Sequence, residues 1–520
     1  MVSADSGGAA EAHASCFPLI FPSPALASGA GTRRLGGVLE ILRARFGHEA
    51  FRAGQEPVIR ALLDGRSALA VFPTGGGKSI CYQLPALLLD GLTLVVSPLI
   101  ALMRDQVDAL TAKGISAARL DSTLDAAQLA EVYGRLDAGT LKLLYIAPER
   151  FANEAFRQRL KRLPIQLAAI DEAHCISEWG HNFRPDYLKL AKIFRGLKIP
   201  RVLCLTATAT PKVARDIRKA FRIATADHIQ LSFHRANLDL RVTPCSAAGR
   251  KDLLLEKLTA IEGAAIVYVT RQETAEEVAT FLAKHGLVAR AYHAGLPAEF
   301  RAEAQNSFMA GGTRVIVATI AFGMGIDRSD VRFVIHYEVP GSVEAYYQEA
   351  GRAGRDGENA YCELLFNYAD TRTQEFFIDG ANPTAATIRG IYQYLQNEAD
   401  KDYEIHRTLE EISEGTEVKN SMSVGSGMSV LAKSGYIERF DIPKKRMRGT
   451  RLLRPEVLTR QLVIDELAIE EKDRRDREKL KSMVEMCYSR TCRQQWILQY
   501  FGEENAGVCG TCDICRDSGS

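Results

Sequence analysis

Four things are scarce or missing in this 520-residue sequence, and each narrows what it can be. No apolar run approaches the ~20 residues that cross a bilayer as a helix, so a membrane-spanning role is not expected. A secretory leader is not expected either. Residues 17–26 are briefly apolar, but Pro18, Pro22 and Pro24 break the run, and Asp5 and Glu11 stand where a leader carries Lys or Arg. Net charge is only +2, so any nucleic-acid partner must be met by local basic patches rather than a globally cationic surface. A disulfide framework is the fourth absence. Of eleven cysteines, Cys16, Cys81, Cys175, Cys204, Cys245, Cys362 and Cys487 are scattered. They read as small buried side chains in a reducing compartment, the cytoplasm. Residues 1–34, rich in Ala, Gly, Ser and Pro, are expected to be a disordered tail, or extra residues ahead of the true start.

What is present has ordinary globular composition and is too long for one core, so several domains are expected. Short β-branched runs at 68–72, 93–97, 142–147, 167–171 and 202–206 alternate with longer amphipathic stretches. A second series follows at 265–269, 288–292, 314–318, 332–336 and 360–366. Such alternation predicts an α/β fold with two tandem parallel-sheet lobes, 35–232 and 233–380, and a cleft between them. Residues 381–456 change character. Helices at 385–395, 407–414 and 423–434, then strands at 436–440 and 450–453 around a basic turn, predict a winged-helix-like domain. Residues 456–488 are polar and read as one long helix, opening a helical cysteine module over 457–520.

Three segments carry chemistry. Pro73-Thr74-Gly75-Gly76-Gly77-Lys78-Ser79 joins the first strand to a helix. Glycines let backbone N–H groups curl round phosphate oxygens at a helix N-terminus, while Lys78 reaches the β/γ-phosphates and Ser79 can hold Mg²⁺. The strict phosphate-loop pattern wants Gly where Phe72 stands, and a plain Gly-rich turn is the competing reading. Asp171-Glu172-Ala173-His174 ends a later strand, and phosphoryl transfer needs one carboxylate for Mg²⁺ and one for the attacking water. The stretch Gln348-Glu349-Ala350-Gly351-Arg352-Ala353-Gly354-Arg355-Asp356-Gly357 offers two arginines three apart, which share a face if helical. Facing the cleft they can neutralise a γ-phosphoryl group; the competing reading is a solvated basic helix end.

The series PTGGGKS, SPLIALMRDQ, APER, DEAH, LTATAT, VATIAFGMGID and QEAGRAGRDG resembles superfamily 2 helicases, and the RecQ family of DNA helicases in particular. That resemblance implies RecA-like lobes, ATP as the fuel, Mg²⁺ beside it, and DNA as the partner, both single-stranded and as branched or tailed duplex. It implies 3′→5′ translocation and duplex unwinding in repair and recombination, with catalytic Lys78, Asp171, Glu172, Arg352 and Arg355. Residues 175–185 resemble the family's aromatic-rich loop, which couples DNA contact to hydrolysis, so Trp179, Phe183 and Arg184 are expected to touch DNA. Stacking on such rings suits any base; a core role for Trp179 is the competing reading. Phe46-Gly47, Phe51-Arg52 and Gln55 resemble the adenine-recognition motif, in which Gln55 reads the base edge and Arg52 stacks on it. His48 stands where many relatives have a tyrosine.

Cys492, Cys509, Cys512 and Cys515 give C-x16-C-x2-C-x2-C, four thiolates suited to tetrahedral Zn²⁺, with an iron–sulfur cluster as the rival. The segment resembles the RecQ zinc module. Its place departs from bacterial members: here the winged-helix segment precedes it. Lys444, Lys445, Arg446 and Arg448 at the wing tip are expected to meet DNA phosphates. Two alternatives stay open at this point. One is a DNA-dependent ATPase or translocase that separates no strands; the other is a non-catalytic DNA-binding scaffold.

Overall fold

Short apolar runs become the interiors of two parallel sheets in the computed structural model, which describes residues 37–177, 185–260, 262–323, 328–416, 418, 420–442 and 447–517. Of the described residues, those up to Ala50 belong to one unit and those from Phe51 onward to another. In the first, a helical turn over Leu42–Phe46 ends at Gly47, whose φ of 71° is the left-handed geometry of a helix stop.

The second unit opens with a lobe whose strands are β1 (Ala68–Val71), β2 (Leu92–Val96), β3 (Ala117–Leu120), β4 (Leu143–Ile146), β5 (Ile165–Ile170), β6 (Val202–Thr206) and β7 (His228–Gln230). They order as β3-β4-β2-β5-β6-β1-β7, all parallel. Central strands β1 and β2 are buried along their whole length, because helices cover both faces. Lobe 2 repeats the plan with β8 (Leu238–Pro244), β9 (Ala264–Tyr268), β10 (Ala289–Tyr292), β11 (Val315–Ala318), β12 (Val331–His336) and β13 (Ala360–Phe366). Its order is β10-β11-β9-β12-β13-β8, again parallel. Strands β3, β7 and β8 were absent from the sequence reading. All three are sheet edges, where one partner strand suffices and a weaker apolar signal is tolerated.

The winged-helix expectation holds, with one addition. Helices Ala385–Glu398, Leu409–Gly415 and Ser421–Lys433 pack on a three-stranded antiparallel sheet, β14-β16-β15. Here β15 (Ile437–Asp441) and β16 (Arg448–Leu452) make the wing, and β14 (Glu404–Ile405) is the unanticipated strand. This domain has its own core, built from Ile391, Tyr392, Leu395, Val424, Leu431, Ile437 and Leu462 among others. The long helix begins ten residues later than the composition suggested, at Glu466 rather than residue 456. Leu462 is needed in the winged-helix core, Tyr436 Oη accepts from Val463 N, and Asp465 caps the helix by accepting from Ala468 N. From there the helix runs unbroken to Tyr488 and leads into the cysteine module.

One hydrophobic cluster runs through lobe 1, one face of lobe 2 and the cysteine module together. Phe501 stacks on Phe233 at 4.4 Å between ring centres, and Tyr347 meets both rings. Aromatic pairs of this kind add about 0.5–1.5 kcal/mol beyond the area they bury. Cys81, Cys175, Cys204, Cys362 and Cys487 are buried free thiols, as their scatter implied. No helix among the described residues is long and apolar enough to cross a membrane.

Candidate nucleotide site and zinc centre

The carboxyl end of β1 turns directly into the glycine loop, and the helix Ile80–Leu88 follows it. Gly75 and Gly77 have φ of 83° and 70°, which side-chain-bearing residues rarely adopt. A Cβ on Gly77 would also lie 2.4 Å from Gln55 Nε2. That glutamine is buried, and both ends of its amide are engaged: Nε2 donates to Gly77 O at 2.9 Å, and Oε1 accepts from Arg52 N at 2.8 Å. Arg52 Nη1 donates to Gly75 O at 2.7 Å. The pair expected to meet adenine therefore also braces the phosphate loop. His48 is exposed within its own unit. Lys78 Nζ donates to Phe72 O at 3.0 Å. Burial lowers the proton affinity of its ammonium, while Glu172 and Asp171 act to raise it.

Asp171 and Glu172 leave the end of β5 toward the same loop. Burial first, and the Glu172 carboxylate second, hold the Asp171 carboxyl well above the usual carboxylate range, against the pull of Lys78. A half-buried acid pair of this kind favours a bound cation, which removes the cost of ionising it. Glu172 has φ 49° and ψ 45°, an uncommon left-handed conformation for a glutamate. His174 Nδ1 lies 3.3 Å from Glu172 Oε2 and 2.9 Å from Thr206 Oγ1. Thr206 in turn donates to Thr208 O at 3.0 Å. A polar chain thus runs from the end of β6 to His174, which stands beside the Glu172 carboxylate. The residue pattern names His174 without giving it work, and nothing in it marks Tyr187, whose hydroxyl donates to Asp171 O at 3.2 Å.

The two arginines part company. Arg352 is buried and donates to Gly323 O, so its charge stays inside lobe 2. Arg355 is half-exposed and close enough to Lys78 to lower its proton affinity, so it belongs to the cleft. A methyl group on Gly351 would stand 3.8 Å from Thr74 Oγ1, which shows how near this loop comes to the glycine loop. A separate cavity of about 440 Å³ opens at the ends of β9 and β12. None of the phosphate-loop residues lines it, and Glu338, Glu349 and Asp476 outweigh Lys479 there, an acidic lining unsuited to phosphate.

The four cysteine sulfurs lie within 4.8 Å of one another. Zinc bonded at about 2.3 Å in a tetrahedron sets its sulfurs about 3.8 Å apart. Cys492 and Cys512 Sγ are 3.9 Å apart, and Cys509 and Cys515 Sγ 4.0 Å, so the residues fit the ion. Backbone N–H groups of Cys509 and Cys512 donate to Cys492 and Cys509 Sγ at 3.2 and 3.3 Å, which suits thiolates. With four protein ligands no coordination position is open, so the centre is structural. Arg493 beside it is buried and bonds Asp513 at 3.0 Å and the Met486 carbonyl at 2.6 Å, tying the cysteine loop to the long helix. Of the expected DNA residues, Trp179, Phe183, Arg184, Lys444, Lys445 and Arg446 lie outside the described residues. Arg448 is exposed on β16 and pairs with Asp441 at 3.1 Å.

Comparison with known proteins agrees with this geometry. Family models match for DEAD/DEAH box helicases over residues 52–217, the helicase conserved C-terminal domain over 250–357, and RecQ zinc-binding over 456–516. The chain is 36% identical to the ATP-dependent DNA helicase RecQ of Bacillus subtilis, over 92% of its own length and 66% of that protein's. It is 40% identical to the probable ATP-dependent DNA helicase RecS of the same organism, over 69% of the chain and 72% of the relative. It spans only 63% of the RecQ of Haemophilus influenzae. Among solved structures, the helicase Lhr of Mycobacterium smegmatis, bound to ssDNA and AMP-PNP, aligns with a TM-score of 0.51 at 19% identity, over 79% of this chain and 60% of that one.

Proposed function

The chain belongs to the RecQ family, and from that premise we propose that it is an ATP-driven DNA helicase that moves 3′→5′ on one strand and opens duplexes ahead of it. The observation that carries this reading is the meeting of three groups across the cleft: the Lys78 loop, the Asp171–Glu172 pair and Arg355. ATP would bind with its base against Arg52 and Gln55 and its phosphates in the loop of Thr74, Gly75, Gly76 and Gly77. Lys78 would pair with the β/γ-phosphates. Mg²⁺ held by Ser79 and Asp171 would offset phosphate charge. Glu172 would orient the attacking water and take its proton, with His174 fixing the carboxylate from Thr206. Arg355 would stabilise charge on the transferring group from the opposite lobe, and buried Arg352 would hold the loop that carries it. Closure on ATP and reopening after hydrolysis then ratchet the lobes along DNA. Opening one base pair costs ~1.4 kcal/mol on average, a small load for one ATP.

Trp179, Phe183, Arg184 and the basic wing of Lys444, Lys445, Arg446 and Arg448 are the proposed DNA contacts, and repair and recombination in the bacterial cytoplasm the proposed setting. The order of domains favours a second reading. Because the wing precedes the zinc module, the chain would then translocate without separating strands. Measuring ATP hydrolysis with and without single-stranded DNA, beside unwinding of a 3′-tailed duplex, decides. DNA-stimulated hydrolysis with unwinding supports the helicase. Stimulation alone supports the translocase, and no hydrolysis leaves only a DNA-binding scaffold.

A further inference from the structure

The helix Val343–Ala350 ends in the turn that carries Arg355; its Tyr347, Glu349 and Ala350 carbonyls accept from the N–H groups of Gly351, Arg352 and Ala353, and beyond them stand the carbonyls of Gly351, Ala353 and Gly354 in the turn itself. Here one side chain from the interlobe linker collects them. Arg235 Nη1 donates to Gly351 O at 3.4 Å, and its Nη2 donates to Ala353 O and Gly354 O at 3.0 Å each. A cation at a helix C-terminus is also favoured by the helix dipole. Asn237 adds a second hold: its Nδ2 donates to Gly354 O and Glu358 O, both at 2.8 Å. Gly354 has φ 57°, and a Cβ there would lie 2.4 Å from Asn237 Nδ2, so the turn is shaped to admit this clamp.

Arg235 is itself held from the zinc module. Gln494 is buried; its Oε1 accepts from Arg235 N at 3.3 Å, and its Nε2 donates to Arg235 O. Glu503 of the same module accepts from Phe233 N at 2.7 Å and from Ser232 Oγ at 2.8 Å. The linker backbone on the N-terminal side of Arg235 is therefore pinned by the module at two places, while the Arg235 guanidinium reaches the turn before Arg355. Nothing in the residue pattern marks Arg235 or Gln494 as more than linker and helix surface.

We propose that Arg235 is a positioning residue for Arg355, and that Gln494 sets Arg235 in turn, so that the packing of the zinc module fixes the geometry of the hydrolytic cleft. This rests on the helicase reading above. Two measurements on the full chain separate the two claims. Hydrogen exchange over residues 350–358 needs no activity. Arg235→Ala and Gln494→Ala should both speed exchange there by about tenfold or more while leaving lobe 1 unchanged; unchanged exchange over 350–358 overturns the inference. DNA-stimulated hydrolysis is the second. Arg235→Ala should lower kcat by about 10²-fold, the size of effect that a displacement near 1 Å produces, with KM for ATP moving less than about threefold. In an Arg355→Ala background, adding Arg235→Ala should change kcat by less than about twofold, because both act through one group. Multiplying effects would refute the relay and leave Arg235 a mere stabiliser. Should Arg235→Ala fail to fold, Arg235→Lys keeps the charge without the fork and should show the same split at about tenfold. Absence of hydrolysis in the unaltered chain would sink the helicase reading alone.

Discussion

Lobe 1 and lobe 2 are the same architecture carrying opposite chemistry. Both are parallel sheets with helices on two faces, and both turn their strand-end loops to one cleft. Lobe 1 brings a glycine loop, a half-buried acid pair and a strained glutamate. Lobe 2 brings cations: Arg352, bonded to its own backbone, and Arg355, whose charge is felt by Lys78. The difference teaches that a sheet of this kind prescribes only where a loop will stand. What stands there is decided by a few residues at strand ends, and neither lobe holds a complete site.

The comparison can be broken from either side. Arg355→Ala should remove the largest share, about 10³–10⁵-fold in kcat, if lobe 2 supplies the charge that lobe 1 lacks; binding of a fluorescent ATP analogue should survive. An unchanged kcat would mean that lobe 1 suffices alone. Glu172→Gln should cost about 10²–10⁴-fold, again with nucleotide binding retained, as loss of a general base does. Phe501→Ala tests the packing between lobe 2 and the cysteine module. Its ring is buried against Phe233 and Tyr347, so about 3–5 kcal/mol of stability should be lost, read by chemical denaturation.

Smaller effects sharpen the contrast. In Asp171 the folded carboxyl titrates about 7, against ~3.9 in an unfolded chain. Ionising it opposes folding, so the penalty is absent below pH ~4 and complete only above the folded value. Asp171→Asn should therefore raise Tm by roughly 2 °C at pH 8 without metal, a gain that fades as pH falls toward ~4, while hydrolysis is abolished. No such pH-dependent gain is expected from Arg352→Met in lobe 2. Least of all, Arg448→Ala on the wing should weaken DNA binding a few-fold and flatten its salt dependence by about one unit of log–log slope.

The sequence made the strand ends of the proposed nucleotide site legible, because glycine loops and acid pairs are short-range devices. It also revealed most buried strands, since runs such as residues 68–71 are continuously apolar. Edge strands hid. In β8, Leu238, Leu240 and Val242 alternate with Asp239, Arg241 and Thr243, a period of two that could have been found. In β7, three residues with no buried position gave no pattern at all. The cysteine spacing disclosed the zinc centre but not its neighbours. Arg235 and Gln494 meet across 259 positions, and no local signal encodes such a meeting. The late start of the long helix was hidden for the same reason, because Leu462 answers to the winged-helix core rather than to its own neighbourhood.

The zinc module leans on both lobes at once. Tyr500 Oη donates to Glu344 of lobe 2 at 2.9 Å, and Gly502, at φ 90°, lies so close to Pro211 of lobe 1 that a Cβ would be 2.5 Å from its ring. A glycine on a proline ring is a low-friction bearing, because glycine carries no side chain to interlock with the ring. If the lobes rock about their linker, this is where one surface glides over the other. Adding a single methyl group there would act as grit in the joint, slowing the stroke while leaving both halves of the cleft chemically intact.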